Sequence, residues 1–258
     1  MSFSLRKFIF ANLFFFMLFN ASALGNGTAV RDKKPFEYAA YLLTEARDGN
    51  LGKVKKTLNL LEKITPPLPD KTKEATAYWI NLYNGLVYWQ KTADPAGLST
   101  EMKRESFFNQ PLIQLSGEKW SLNDIEHGVL RSNKPQEPLK KRQIDESSPK
   151  ARFILKKADP RIHGALNCGT HTCPLIAFYD PEHLDSQLDS AMCNLVFQSE
   201  FDPAKNELKI SKIFEWYAED FKEPSFFYWF DRCFDEKAYK NARATGKNIK
   251  ITYHESTW

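Results

Sequence analysis

The chain has 258 residues, of which 42% are hydrophobic, 14% aromatic and 26% charged, with a formal charge of +4. These values belong to a soluble globular protein and exclude a wholly disordered chain, a collagen-like fibre and a polytopic membrane protein. Phe is in excess, with 20 copies, and part of that excess lies in the first twenty residues.

There, Arg6 and Lys7 precede the apolar run Phe8 to Phe19, and Ala21-Ser22-Ala23 follows. A basic start, an apolar stretch of about 7–15 residues and small residues at the cut make a secretory signal. The run is shorter than the ~20 residues of a membrane-spanning helix, so a retained anchor is the weaker reading. The sequence predicts cleavage after Ala23 and a periplasmic or secreted protein without a transmembrane segment in the mature chain. Removing residues 1–23 takes two basic residues and no acid, lowering the formal charge from +4 to +2. That balance lacks the strongly basic character of nucleic-acid binders, so no nucleic-acid partner is expected.

Residues 36–48 predict an amphipathic helix ended by Gly49. Residues 51–64 carry Leu51, Val54, Leu58, Leu61 and Ile64 at helical spacing. Pro66, Pro67 and Pro69 impose an extended connector. A longer helix follows over 71–91. Its aromatics Tyr78, Trp79, Tyr83, Tyr88 and Trp89 read first as core and second as a binding groove. Residues 111–122 predict two short strands about Ser116-Gly117, after which Ser121 caps a helix from Leu122 to Leu130. Residues 132–149, polar, basic and with three prolines, read as a mobile surface loop. A turn or short helix begins at Asp159-Pro160, then come a helix over 181–199, a strand over 206–210, a helical stretch over 211–221, a helix over 225–245 ended by Gly246, and a strand over 248–253. The fold class is α+β: a helix-rich single domain with a few short strands.

The reactive residues concentrate in 159–174, DPRIHGALNCGTHTCP, which holds His163, Cys168, His171 and Cys173 in a chain with five His and four Cys. In one reading Cys168 is a nucleophile and His127 or His163 takes its proton, with Glu126, Asp124, Asn81 or Asn84 orienting the imidazole and Gly169 freeing backbone N–H groups for an oxyanion. In another, Cys168 and Cys173 form a disulfide, suited to an exported protein, and Cys193 and Cys233 pair as a second. That bridge also admits thiol–disulfide exchange. A third makes His163, Cys168, His171 and Cys173 zinc ligands, although one short loop would then wrap the whole tetrahedron. The fourth is ordinary buried thiols and satisfied core histidines. Asn81 and Asn84 stand apart, because a helix interior disfavours Asn and a buried Asn must be hydrogen-bonded.

YWINLYNGLV (78–87), WSLNDIEHGVLR (120–131), DPRIHGALNCGTHTCPLIAFYDPEHLDSQLDSA (159–191) and SKIFEWYAEDF (211–221) together resemble the domain of unknown function 547 family. The similarity runs from about Trp79 to Trp258, with residues 24–70 as an N-terminal helical extension and 71–258 as the domain. The family pattern falls on Glu126, His127, His163, Cys168, Cys173 and Pro174, while His171 departs from it, which argues against a four-ligand zinc site. Cys193 and Cys233 match no family motif and so suit a disulfide particular to this chain. The resemblance implies a thiol site: Cys168 as nucleophile, His127 as the preferred base, Glu126 or Asn84 orienting it and His163 as the alternative. The reaction would be acyl transfer on a peptide or amide of the cell envelope, with no cofactor, and papain-like and transglutaminase-like folds are the nearest analogies. The contrasting reading is a non-catalytic envelope binding module held by a Cys168–Cys173 bridge.

Overall fold

A computed structural model describes residues 33–135, 141–169 and 177–255. The predicted signal at 1–23, the residues His171, Cys173 and Pro174, and Lys140 of the basic loop lie outside the described residues.

The first three helices form where apolar residues recur at helical spacing. They are α1 (Pro35–Arg47), α2 (Leu51–Leu61) and α3 (Thr72–Ala93). α3 is the central element, with Tyr78, Trp79 and Leu82 fully buried. α1 packs along it and against α2, so the N-terminal helices share one compact unit, residues 34–258, with the rest of the described chain. Of the aromatics of α3, Tyr78 and Trp79 are core, Tyr83 is buried, and Tyr88 and Trp89 are only partly buried. Trp79 lies 4.9 Å from Trp120 and 6.0 Å from Phe153, an aromatic cluster that fixes the following hairpin against the helix.

α4 (Glu101–Asn109) has no counterpart among the sequence expectations; it buries only Phe107 and so shows no apolar stripe. β1 (Ile113–Leu115) and β2 (Glu118–Trp120) pair antiparallel, with Ile113 opposite Trp120. Ser116 and Gly117 make the turn, both with positive φ. Ser121 then starts the next helix reciprocally: its hydroxyl accepts from the Asp124 N–H and its own N–H donates to Asp124, both at 3.1 Å. The expected helix is there but is wider than an α-helix. Residues Asp124–Leu130 form a π-helix, in which the Arg131 N–H reaches back to the Glu126 carbonyl.

The loop after it is anchored rather than free at its described ends. Asn133 and Ile144 are buried, and the Asn133 amide bonds both backbone groups of Ile144 at 2.8 and 2.9 Å. A 3₁₀ turn (Pro149–Phe153) and the short α5 (Ile162–Ala165) follow. α5 packs on α6 (Leu184–Val196) so closely that a Cβ at Gly164 would lie 2.7 Å from the Ala191 carbonyl.

A second core gathers around Phe214, Phe230 and Tyr239, under a three-stranded sheet of order β3-β4-β5. β3 (Glu200–Asp202) pairs antiparallel with β4 (Glu207–Ile210), which pairs parallel with β5 (Lys250–Tyr253). Between them lie α7 (Ile213–Trp216), a 3₁₀ turn (Ala218–Phe221), α8 (Phe226–Cys233) and α9 (Lys237–Ala244). The single helix expected over 225–245 is therefore two. The chain turns at Phe234 so that Phe234 and Tyr239, 5.3 Å apart, both enter this core. Cys193 on α6 and Cys233 on α8 form the expected disulfide. Among the described residues no helix is long and apolar enough to cross a membrane.

Candidate functional site

α3 positions the cysteine segment. Asn81 and Asn84 sit one helical turn apart on the same face, and both are completely buried. Asn84 donates to the Ala165 carbonyl and accepts from the Asn167 N–H, each at 3.0 Å. Asn81 does the same to Tyr179, at 2.7 and 3.0 Å. The two amides thus pin the chain on both sides of Cys168. This satisfies their own polar groups and explains two Asn residues inside a helix. Asn84 therefore positions the loop and does not orient an imidazole. Lys91 adds a bond to the Gly169 carbonyl. The Gly169 N–H is not free for an oxyanion, because it donates to Asn167 Oδ1 at 2.7 Å. Gly169 has a φ of +85°, and a Cβ there would meet Leu98 at 2.8 Å, so the turn requires glycine.

The π-helix presents Glu126 and His127 to a cavity of about 570 Å³. Cys168 and His163 line the same cavity, together with Tyr83, Arg131, Lys134, Trp216 and Tyr217. Four of the five site residues predicted from sequence therefore meet in one place, and the fifth, Asn84, braces it from behind. The partners assigned to them differ. Glu126 is buried and bonds neither imidazole; its two oxygens accept from Tyr83 and Tyr217 at 2.8 and 2.6 Å. Burial raises its pKa, but His127 beside it and the two hydroxyls outweigh this and hold it below the usual carboxylate value. Both tyrosines are pushed well above their ordinary value by burial and then by Glu126, so they remain donors. Asp124, the other acid near His127, is spent on Ser121, Gln143 and Lys150.

The carboxylate that serves His163 is Asp220, from the 3₁₀ turn after α7. Asp220 Oδ2 lies 2.8 Å from His163 Nε2 and 2.6 Å from Arg131 Nε, and Oδ1 accepts from Lys134 at 2.8 Å. Burial opposes its ionisation, but His163 and Arg131 win and hold Asp220 far below the ordinary aspartate range. As an anion Asp220 can only accept, so His163 Nε2 carries a proton. Burial pulls the His163 pKa down, and Asp220 only partly restores it. A neutral His163 then has its lone pair on Nδ1. Its ring stacks on Tyr217 at 3.9 Å.

His127 is fixed in the opposite sense. Its Nδ1 lies 3.0 Å from Arg131 Nη1, and a guanidinium can only donate. Nδ1 is therefore the acceptor, and the neutral ring bears its proton on Nε2. Burial lowers the His127 pKa, with Arg131 and His163 adding to the effect against the attraction of Glu126. The two histidines consequently differ in kind: His127 offers an N–H, and His163 offers a basic nitrogen.

Cys168 is disulfide-bonded, in contrast to the free thiol that the nucleophile reading expects at rest. Cys173 and His171, the other residues of the disulfide and zinc readings, lie outside the described residues. Among those described, no three His, Cys, Asp or Glu side chains cluster as a metal site.

Sequence reasoning missed Arg131, Tyr217 and Asp220, and named Tyr83 only as a second, binding-groove reading of the α3 aromatics. Each lies inside one of the four segments that carry the family resemblance, and that placement was the available signal. No curated protein and no solved structure matches the chain. The family comparison covers less than the segments suggest, since it ends before Tyr217 and Asp220. Residues 70–196 match the family described as "Protein of unknown function, DUF547", so the resemblance to the domain of unknown function 547 family is shown, and it holds over that stretch.

Proposed function

We propose that the chain is an exported protein whose cavity is a cysteine-dependent acyl-transfer site, resting with Cys168 masked in a disulfide. The observation that carries this reading is the convergence of Cys168, His127, His163 and Glu126 on one cavity. An external dithiol exchanges with the disulfide, is itself oxidised, and releases Cys168 as a thiol. His163 Nδ1 takes the thiol proton, and the sulfur attacks the carbonyl carbon of an amide. The imidazolium returns the proton to the departing nitrogen as the C–N bond breaks, leaving a thioester that water or an amine resolves. Asp220 holds the His163 tautomer that this requires. His127, with its proton on Nε2, supplies a donor to the developing oxyanion.

Export rests on the basic, apolar and small-residue order of residues 6–23, and the Cys193–Cys233 bridge suits an oxidising compartment. N-terminal sequencing of secreted protein is expected to begin at Leu24; a sequence beginning at Met1 overturns this part.

The test of chemistry is labelling by a panel of thiol-directed acylating probes after treatment with excess dithiol. Wild type is expected to label at least tenfold faster than Cys168→Ser, with the acyl group on Cys168, and His163→Gln to slow that step by about 10²–10⁴-fold. Equal labelling of wild type and Cys168→Ser sinks the reading. The binding-module reading then stands, in which the bridge stays closed; the bonded state of Cys168 and the clamping of its flanks by Asn81 and Asn84 favour it.

A further inference from the structure

Among the described residues, three polar groups at the cavity are not used up. Arg131 is 6% exposed, yet its bonds run only from Nε to Asp220 and from Nη1 to His127. Its Nη2, with two N–H donors, has no partner among the described residues. His163 is 3% exposed and spends only Nε2. His127 spends only Nδ1. A buried guanidinium without a full set of acceptors is costly, and such donors in native interiors are matched by protein, water or ligand.

The guanidinium is also rigidly aimed. Asp220 grips one edge, and the plane lies over the Tyr217 ring with Cζ 4.9 Å from its centre. What remains is the Nη2 nitrogen of a fixed cation, with its two N–H donors, beside the His127 Nε2–H and the half-exposed Lys134, whose ammonium gives Asp220 only one of its bonds. The acids nearby do not fill this gap. Asp220 is fully engaged, both Glu126 oxygens hold tyrosyl hydroxyls, and Glu219 at the rim pairs with Lys222 at 2.6 Å. These donors open onto the cavity, where a carboxylate can take a charge-assisted bond from the Arg131 Nη2 with one oxygen and further bonds from the His127 Nε2–H or Lys134 with the other.

We propose that the cavity recognises a free carboxylate on its ligand through Arg131, with the His127 Nε2–H and Lys134 as auxiliary donors. Resting on the acyl-transfer reading, this narrows the substrate to amides that carry a carboxylate near the scissile bond, such as the terminal residue of a short peptide. Recognition itself needs no thiol, so it can be measured with Cys168 still in its disulfide, when no acyl transfer occurs.

The probes are N-acetyl-alanyl-alanine and its C-terminal carboxamide, titrated calorimetrically into the oxidised full chain at low ionic strength, with inorganic phosphate as competitor. The carboxylate is expected to bind at least about tenfold more tightly than the carboxamide. Arg131→Lys keeps the charge but cannot hold Asp220, His127 and a ligand from one planar group, and is expected to cut that ratio to about threefold or less. Because the wild-type comparison stands alone, misfolding of the variant does not rescue the proposal. Equal binding of the two probes, or binding of neither, overturns it. Displacement by phosphate as strong as by the carboxylate overturns the carboxylate assignment in favour of a general anion site. Selective binding without any acylation of Cys168 leaves this inference standing while the acyl-transfer reading falls, and the converse result separates them the other way.

Discussion

At the residue scale the site depends on which nitrogen holds a proton and on what stops the buried charges from repelling one another. Asp220 is the counter-ion for Arg131 and Lys134 and the acceptor for His163. Replacing it with Asn leaves Arg131 buried without its anion. We expect Asp220→Asn to cost about 3–5 kcal/mol in urea unfolding followed by tryptophan fluorescence, because breaking a buried pair costs far more than the pair contributes net. A loss below 1 kcal/mol would show that water reaches the cavity floor. The histidines add a pH dependence. In the folded chain both His127 and His163 bind a proton less readily than the ordinary value of 6.5, since burial disfavours the charged ring. The unfolded chain therefore takes up more protons just below 6.5. Their contribution to stability is complete above that pH and is lost as pH falls through it. His163→Gln keeps an N–H for Asp220 but cannot titrate, so its stability between pH 7 and 5 should fall less steeply than that of wild type. Parallel slopes would show that His163 titrates alike in the folded and unfolded chains, and a steeper fall for the variant that it is charged in the folded protein.

At the element scale α3 carries most of the organisation, through a stripe of buried aromatics on one part of its surface and two amides on another. Each amide makes two backbone bonds to a segment far away in the chain. Asn84→Leu removes one clamp and leaves a buried carbonyl and N–H unpaired, for an expected loss of about 2–4 kcal/mol. Hydrogen exchange of the Asn167 amide should accelerate with it, while that of Tyr179 should change less, since Asn81 holds the other flank. Uniform acceleration at both would mean that the clamps act as one unit. Elements with a local period were legible from sequence: α1 to α3, the hairpin about Ser116-Gly117, and strands β4 and β5. α4 was not, because only Phe107 is buried in it, and β3 was not, because three residues establish no alternation. The break between α8 and α9 follows from where Phe234 and Tyr239 must go in the second core, which is a tertiary demand. His127, His163 and Cys168 stood out as rare reactive types, whereas Asp220 and Arg131 are common types whose meaning comes from meeting across 89 positions.

For the whole molecule, a covalent link closes the second core and an ionic network stands beside it. The Cys193–Cys233 bridge joins α6 to α8 across a sequence separation of 40. Closing a loop of that length restricts the unfolded chain by about 4 kcal/mol in the entropic account. The Cys193→Ser/Cys233→Ser double variant should lose roughly that much in denaturant unfolding without losing the cavity; an unchanged midpoint would show a bridge that costs as much in the folded state as it saves. Arg161, at the start of α5, ties that helix to α6 by gripping Asp159, Asp185 and Asp189 at once. Because Arg161 is half-buried and holds three carboxylates, its network should resist added salt better than an exposed single pair does.

The family match and the folded site have different boundaries, which bears on where the gene can be cut. The stretch that matches a known family closes at Val196, while the anion neutralising its cationic heart and the ring stacked on its imidazole arrive from Asp220 and Tyr217. A fragment trimmed to 70–196 would keep every hallmark by which it is recognised and lack the keystone those hallmarks lean on. It should emerge from expression insoluble or without cooperative melting, and a folded, soluble fragment would mean that the keystone lies elsewhere.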